Sequence, residues 1–252
     1  MSDFTADQVP IVTSEMLGKS PELRFGISTR KGGVSGGAFG MNLSYNVGDD
    51  RDSVRQNRLR FFGSLGIVEA NVAYPMQCHS GVAKEAPDPG SYAECDALVT
   101  NKSGVYLAIT VADCVPIFLW DSRANVVAAI HAGWRGTVAR IVGTTVNLMQ
   151  KQFGAHTEHI VGFIGPAAGA CCYEIGHDVA NQFNGANVAI RNGRTFVDLK
   201  KANLDHMVEM GVSAGNIEMN TTCTICSPET CHSFRRDTHR SGRMMGVVGI
   251  KP

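Results

Sequence analysis

The sequence has no surplus of either charge. Its 23 lysines and arginines balance 23 aspartates and glutamates over 252 residues. A surface built to neutralise phosphates needs a basic excess, so this balance argues against a nucleic-acid partner. No apolar run approaches the roughly 20 residues that a membrane-crossing helix needs, so no membrane partner is expected. The opening stretch, MSDFTADQVPIVTSEM, lacks the basic start and apolar stretch of a secretory leader. No Pro/Ser-rich linker, charge block or repeat interrupts the chain, and residues 1–252 read as one domain. Neither a GxGxxG nor a Walker-type glycine pattern is present, which leaves no nucleotide fingerprint. Hydrophobic content of 44% and charged content of 18% describe a globular enzyme-like chain rather than a disordered one.

What the chain does carry is cysteine, eight of them. Without a leader the expected compartment is the reducing cytoplasm, where thiols serve metals or catalysis more than disulfides. The most informative stretch is 104–136, GVYLAITVADCVPIFLWDSRANVVAAIHAGWRG. It reads as three apolar strands, the second and third forming a β-hairpin around DSRAN. A tight Ser122-Arg123 turn pairing Asp121 with Ala124 places Cys114 directly opposite His131. A wider loop closed by Asp121 and Val126 displaces that match by two positions. Directly paired residues hold their Cβ atoms about 4.5–5.5 Å apart, close enough to share a metal or a proton.

Elsewhere, residues 24–47 predict a strand, a Gly-rich turn and an irregular segment. Residues 49–66 predict a helix capped by Asp52 with Val54, Leu59, Phe62 and Leu65 as its apolar stripe. Residues 72–78 predict a short strand, and 137–153 a helix capped by Thr137 and ended by Gly154. Strands at 160–164 and 244–250 and a helix at 198–210, stopped by Gly211, complete the pattern. Hairpins and crossovers both occur, which favours an α+β fold with mixed β-sheets.

Four residue groups carry possible chemistry. His79, Cys114 and His131 form the ligand set of a catalytic metal with one open position; alternatively Cys114 is a small buried hydrophobe and the histidines are ordinary polar groups. The loop 131–136 leads into a helix start and offers an anion site, or is only a tight turn. Cys223, Cys226, Cys231 and His232 could hold a structural zinc but lack a second distant ligand pair, so free loop thiols are expected there instead; adjacent Cys171 and Cys172 are read the same way. Arg235 and Arg236, like Arg30, fit either solvent or an anionic group.

The stretches STRKGGVS (28–35), MNLSYNVGDD (41–50), MQCHSG (76–81), CDALVT (95–100), ITVADCVPIFLWD (109–121), AAIHAGWRGT (128–137), IGPAAGACCYEIG (164–176), VDLKKAN (197–203), CTIC with SFRRD, and SGRMMGVV (241–248) run nearly the whole chain. In this order they resemble the YfiH family, also called laccase-domain or polyphenol-oxidase-like. The resemblance implies a layered α/β/β/α sandwich with mixed sheets. It implies zinc on His79, Cys114 and His131. It also implies purine nucleoside chemistry, namely phosphorolysis of adenosine, inosine and methylthioadenosine and deamination of adenosine. Copper-dependent phenol oxidation and hydrolysis of a misacylated cell-wall precursor are the family's other assigned activities. If phosphorolysis holds, Arg30 is the expected phosphate contact, supported by Asn42 and the N–H groups of 133–136. Gln77, Arg135 and Tyr173 are the expected substrate contacts. Eight histidines with no HxH pair are too few for a multicopper cluster. Two further readings stay open: a cysteine hydrolase with Cys114 as nucleophile and His131 as base, and a non-catalytic metal- or partner-binding protein.

Overall fold

Short runs rich in Val, Ile and Ala form strands buried on both faces, and those strands dominate the molecule. A computed structural model describes residues 9–252. The first eight residues, on which the reading of no secretory leader partly rests, lie outside the described residues. In chain order the elements begin with β1 (Ile11–Val12), β2 (Leu23–Ser28) and α1 (Arg51–Ser64). Next come β3 (Val72–Pro75), β4 (Ala83–Glu85), β5 (Gly90–Tyr92) and β6 (Ala97–Thr100). The three apolar runs become β7 (Tyr106–Val111), β8 (Val115–Asp121) and β9 (Val126–Ala132). Then follow α2 (Trp134–Val138), α3 (Ile141–Phe153), β10 (Ile160–Ile164), β11 (Glu174–Ile175) and α4 (His177–Ala180). The chain closes with β12 (Val188–Arg191), β13 (Arg194–Val197), α5 (Leu199–Glu209), β14 (Ile217–Met219), α6 (Phe234–Asp237) and β15 (Met244–Ile250).

One six-stranded sheet runs β1-β2-β15-β7-β3-β5 and the other β14-β10-β8-β9-β6-β4. Both mix parallel and antiparallel pairs, for example β3 with β7 parallel and β15 with β7 antiparallel. Leu107, Ile109 and Val248 from the first sheet pack on Phe118, Trp120 and Phe163 from the second. The outer face of the second sheet is covered by Ile141, Val142, Val146 and Met149 of α3 and Met207 of α5. The outer face of the first receives Phe61 and Phe62 of α1. This is the expected α/β/β/α layering, with a small third sheet, β11-β13-β12, beside it.

Two helix boundaries differ from the periodicity reading. Helix α1 is capped by Asp50, whose side chain accepts from the Ser53 N–H, rather than by Asp52. Its buried face is Val54, Asn57, Arg58, Phe61 and Phe62, while Leu59 is 55% exposed. The segment 137–153 is two helices. Arg140 takes a left-handed φ of 57°, which separates α2 from α3, and Thr137 lies inside α2. Gly154 ends α3 in the left-handed conformation, as expected.

His232 is fully buried and neither of its ring nitrogens has a hydrogen-bond partner. Burial holds its pKa down to about 3, and nearby Arg30 and Arg243 add to the effect. In the unfolded chain the imidazole takes a proton near pH 6.5. Between these values the unfolded state binds the extra proton, so stability falls as the pH drops from about 6.5 toward 3. The slope from this group is at most about 1.4 kcal/mol per pH unit. We expect His232→Asn to flatten denaturant midpoints measured across that window; an unchanged pH profile would contradict it.

Candidate metal centre and cleft

Strand register brings the first ligands together. Asp121 pairs with Val126, so the hairpin has the wider of the two loops. His131 therefore faces Pro116, and Cys114 lies two positions beyond, just before β8 begins. The directly opposed arrangement is thus corrected to a diagonal one. Two positions is one strand repeat, so both side chains stay on the same face. His79 comes from the loop after β3, in a left-handed φ of 61°. The ligand atoms of His79, Cys114 and His131 all lie within 4.8 Å of one another. The two imidazoles meet edge to face, with centroids 4.9 Å apart.

Asp96, at the entry to β6, is the residue that organises this cluster, and its role is not apparent from sequence pattern. Its Oδ1 lies 2.8 Å from His131 Nδ1 and accepts from the His79 N–H at 3.0 Å. Its Oδ2 accepts from the Ser80 N–H at 2.7 Å, the Ser80 hydroxyl at 2.8 Å and the Cys78 N–H at 3.2 Å. The carboxylate so fastens the strained His79 turn and one edge of His131. With Nδ1 engaged, His131 presents Nε2 to a metal, the usual carboxylate–histidine arrangement behind a ligand. Burial acts to raise the Asp96 pKa, but bonds from His131 and Ser80 outweigh it and hold the carboxyl well below the usual range.

The same charges tune the ligands. Burial opposes ionisation of Cys114, but His131 and His79 pull its thiol down to about 6. Burial likewise opposes charge on His131, but Cys114 and Asp96 push it up to about 9. Each group favours the charged form of the other, and the thiolate so favoured is the form that binds a metal. Cys114 is held from the other side by Asp113, which has a φ of 87°. Its carboxylate accepts from the Thr224 hydroxyl and the Arg235 N–H, both at 2.6 Å. A Cβ built on Gly133 falls 2.8 Å from His79 Nδ1 and 3.1 Å from Cys114 Sγ. Only glycine leaves room at that position for two ligands to converge, and the donor set of two imidazoles and one thiolate fits a single borderline-soft cation.

The cluster opens into a cleft of about 980 Å³. Its walls include Tyr45, Tyr74, Trp134 and Tyr173, with the guanidinium groups of Arg58, Arg135, Arg235 and Arg243. Of the sequence-predicted contacts, Gln77, Arg135 and Tyr173 line this cleft. The Gln77 amide is pinned to Thr110, donating to its carbonyl at 2.9 Å and accepting from its N–H at 2.9 Å. Arg135 lies over the Trp134 ring and Arg235 over the Tyr173 ring. Arg30 and Asn42 are not among the lining residues. Arg30 donates to the carbonyls of Pro228 through Nη1 at 2.7 Å and of Ala38 through Nη2 at 2.9 Å. Asn42 is buried and accepts from the Arg243 N–H at 2.9 Å, which makes it a support for Arg243. The arginine pair divides: Arg235 reaches the cleft, while Arg236 holds the carbonyls of Thr224 and Cys231 and the Asp237 carboxylate. The loop 131–136 starts only the five-residue α2. The reading of Cys223 and Cys226 as lacking a second pair is also corrected, because Cys171 and Cys172 supply it; Cys231 stands apart, buried beside Val111 and Met244.

Comparison with known proteins agrees with this architecture. The family described as "Multi-copper polyphenol oxidoreductase laccase" matches residues 24–251. The chain is similar to a protein of Deinococcus radiodurans named "Purine nucleoside phosphorylase", at 38% identity over 98% of this chain and 95% of that one. It is similar to "Adenosine deaminase RL5" of an unknown prokaryotic organism, at 37% identity over 89% of this chain and 93% of that one. Among solved structures, Bacillus licheniformis hypothetical protein YfiH superposes with a TM-score of 0.91 at 27% identity, covering 98% of this chain and 99% of its own.

Proposed function

The chain belongs to the YfiH family, the one described as multi-copper polyphenol oxidoreductase laccase, and from that membership we propose that it is a zinc-dependent purine nucleoside enzyme. Its reactions would be phosphorolysis of adenosine, inosine and methylthioadenosine, and deamination of adenosine. The observation that carries this reading is the convergence of His79, Cys114 and His131 in a cleft walled by aromatic rings and arginines. Two imidazoles and a thiolate suit zinc with one position left open. Zinc held there would supply Lewis acidity and a water activated near neutral pH.

The chain's own residues do the rest. Asp96 keeps His131 turned with Nε2 toward the substrate side. Trp134 and Tyr173 offer flat faces on which a purine can stack. Arg243 is our choice for the phosphate. Its Nη1 is anchored on the carbonyls of Ser241 at 2.8 Å and Gly242 at 3.0 Å, and its backbone is held by Asn42. Among the described residues no carboxylate pairs with it in an ion pair, whereas Arg58 is paired with Glu69 at 2.6 Å. Burial lowers the Arg243 pKa, and the negative charges of Asp113 and Cys114 oppose that shift. A planar guanidinium with one edge fixed and the other free is suited to an oxyanion.

A cluster of several coppers would need more imidazoles than the two that converge here, so a multicopper oxidase centre does not fit this donor set. The Cys114–His131 pair supports one other reading, metal-free hydrolysis with Cys114 as nucleophile. Product analysis of adenosine and inosine, with and without phosphate, tests the first reading. Free base released only with phosphate is the expected result. Equal release without phosphate would point to a nucleoside hydrolase. No turnover of either nucleoside, with metal-free protein inactivated by thiol alkylation, would favour the cysteine hydrolase, the cell-wall precursor among its candidate substrates.

The two arginines give a sharper test. Loss of a charge-assisted hydrogen bond removes about 1.5–3 kcal/mol, so Arg243→Ala should raise the apparent KM for phosphate about tenfold or more. Arg30→Ala should leave that KM within about twofold, because Arg30 does not line the cleft and both its terminal nitrogens hold carbonyls, and should lower thermal stability instead. The reverse pattern would return the phosphate to Arg30.

A further inference from the structure

We propose that Cys171, Cys172, Cys223 and Cys226 form a second metal site, a four-thiolate centre for a zinc-type cation that braces the wall of the cleft. Their four sulfur atoms all lie within 4.8 Å of one another. Two of the separations are 3.1 Å, between Cys172 and Cys226, and 3.6 Å, between Cys171 and Cys226. Four sulfurs placed tetrahedrally about 2.3 Å from one ion stand about 3.8 Å apart, within the span of this cluster. No carboxylate or imidazole belongs to the group, and soft thiolates select soft or borderline cations.

The backbone around the cluster is shaped to it. The Gly169 N–H donates to Cys223 Sγ at 3.2 Å, a bond that supports a thiolate from behind. A Cβ at Gly169 would fall 3.0 Å from Cys223 Cβ, 3.2 Å from Cys171 Sγ and 3.3 Å from Cys223 Sγ, so a side chain there would crowd the sulfurs. The Cys172 and Tyr173 N–H groups both bond the Gly169 carbonyl, at 3.0 and 2.9 Å, which folds the adjacent cysteines toward one point. Ala167 and Cys223 form a parallel bridge that fixes the two loops side by side.

The placement explains what such a centre would do. Tyr173, beside Cys172, and Arg235, above its ring, line the cleft. Thr224, beside Cys223, donates to Asp113 next to the ligand Cys114. Among the described residues, no disulfide joins 169–173 to 222–226. A cation would cross-link the two loops and hold Tyr173 against the first centre. It is a structural, not a reacting, metal, because four protein ligands leave no open position.

Metal content of a variant lacking the first site tests this. His79→Ala with Cys114→Ser leaves His131 for Asp96 and removes two ligands of the catalytic set. Purified under reducing conditions with zinc supplied, this protein should retain one equivalent, and wild type two. Cobalt(II) substitution in the same variant should give the intense visible absorption of a tetrahedral four-thiolate site. Adding Cys226→Ser should remove the remaining equivalent and that absorption. If Cys226→Ser does not fold, the cobalt spectrum of the intact four-thiol set still decides. No zinc in the His79→Ala, Cys114→Ser protein, a weak octahedral cobalt spectrum, or a Cys172–Cys226 disulfide under reducing conditions would each overturn the proposal.

Discussion

Gly133→Ala is expected to abolish metal binding at the His79–Cys114–His131 cluster while leaving the fold in place. Backbone strain is not the reason. Gly133 has φ −72° and ψ 175°, a conformation any residue adopts. Its position at the start of α2 makes alanine only mildly unfavourable there, by about 1 kcal/mol. The added methyl instead enters the space between His79 Nδ1 and Cys114 Sγ, at 2.8 and 3.1 Å. One or both ligands must shift by some tenths of an ångström or more. A misplacement approaching about 1 Å costs about 10²-fold in rate. Zinc at this cluster should be lost, leaving at most the equivalent held by the four cysteines, and kcat/KM should fall by about 10²-fold or more, with a nearly unchanged melting curve of the chelated protein. Gly36→Ala is the control, since nothing lies within 4 Å of a Cβ there. Full metal occupancy in Gly133→Ala would show that the ion is held elsewhere.

Asp96→Asn is expected to cost both stability and metal affinity. The two carboxylate oxygens accept from Cys78, His79 and Ser80 and face His131. An amide replaces one oxygen by an NH2 group, so whichever way it turns, donors face donors in a fully buried site. Breaking one partner of a buried charged pair costs about 3–5 kcal/mol. The left-handed His79 turn loses its anchor at the same time, and loss of a carboxylate behind a ligand costs about 10–100-fold in metal affinity. Melting in chelator and a competitive zinc titration measure the two effects separately. Because the folded-state pKa is depressed, the carboxylate's contribution is present above about pH 4 and is lost as the pH falls below the ordinary carboxylate range. Equal zinc affinity in Asp96→Asn would mean that His131 is oriented by packing alone.

The two histidines and Cys114 were legible because hairpin pairing is local and because their motifs are specific. Only the loop length remained open, and the wider loop kept both side chains on one face. Asp96 was not legible. A buried aspartate at the entry to an apolar strand acquires meaning only when its partners are known, and here they lie at 78–80 and 131. The choice between Arg30 and Arg243 was equally hidden. Each lies beside a strand near glycine, and only the folded backbone shows that Arg30 has both terminal nitrogens on carbonyls and Arg243 only one. The four cysteines escaped because about 50 residues separate two pairs that look incomplete alone. The layered fold was readable from apolar runs, but the left-handed Arg140 that divides α2 from α3 has no glycine to announce it.

The place of β15 has a consequence for how the protein is made. This strand lies between β2 and β7, making five register pairs with the first and six with the second. During vectorial synthesis, β2 and β7 leave the ribosome long before the strand that separates them. They cannot pair with each other without occupying its place, so the nascent sheet waits with two apolar edges open. Closure needs contacts that span more than 100 residues to β7 and more than 200 to β2, the slow and aggregation-exposed kind. Arg243 and Met245, which line the cleft, arrive with that strand. The cleft is therefore incomplete until this strand has taken its place between β2 and β7.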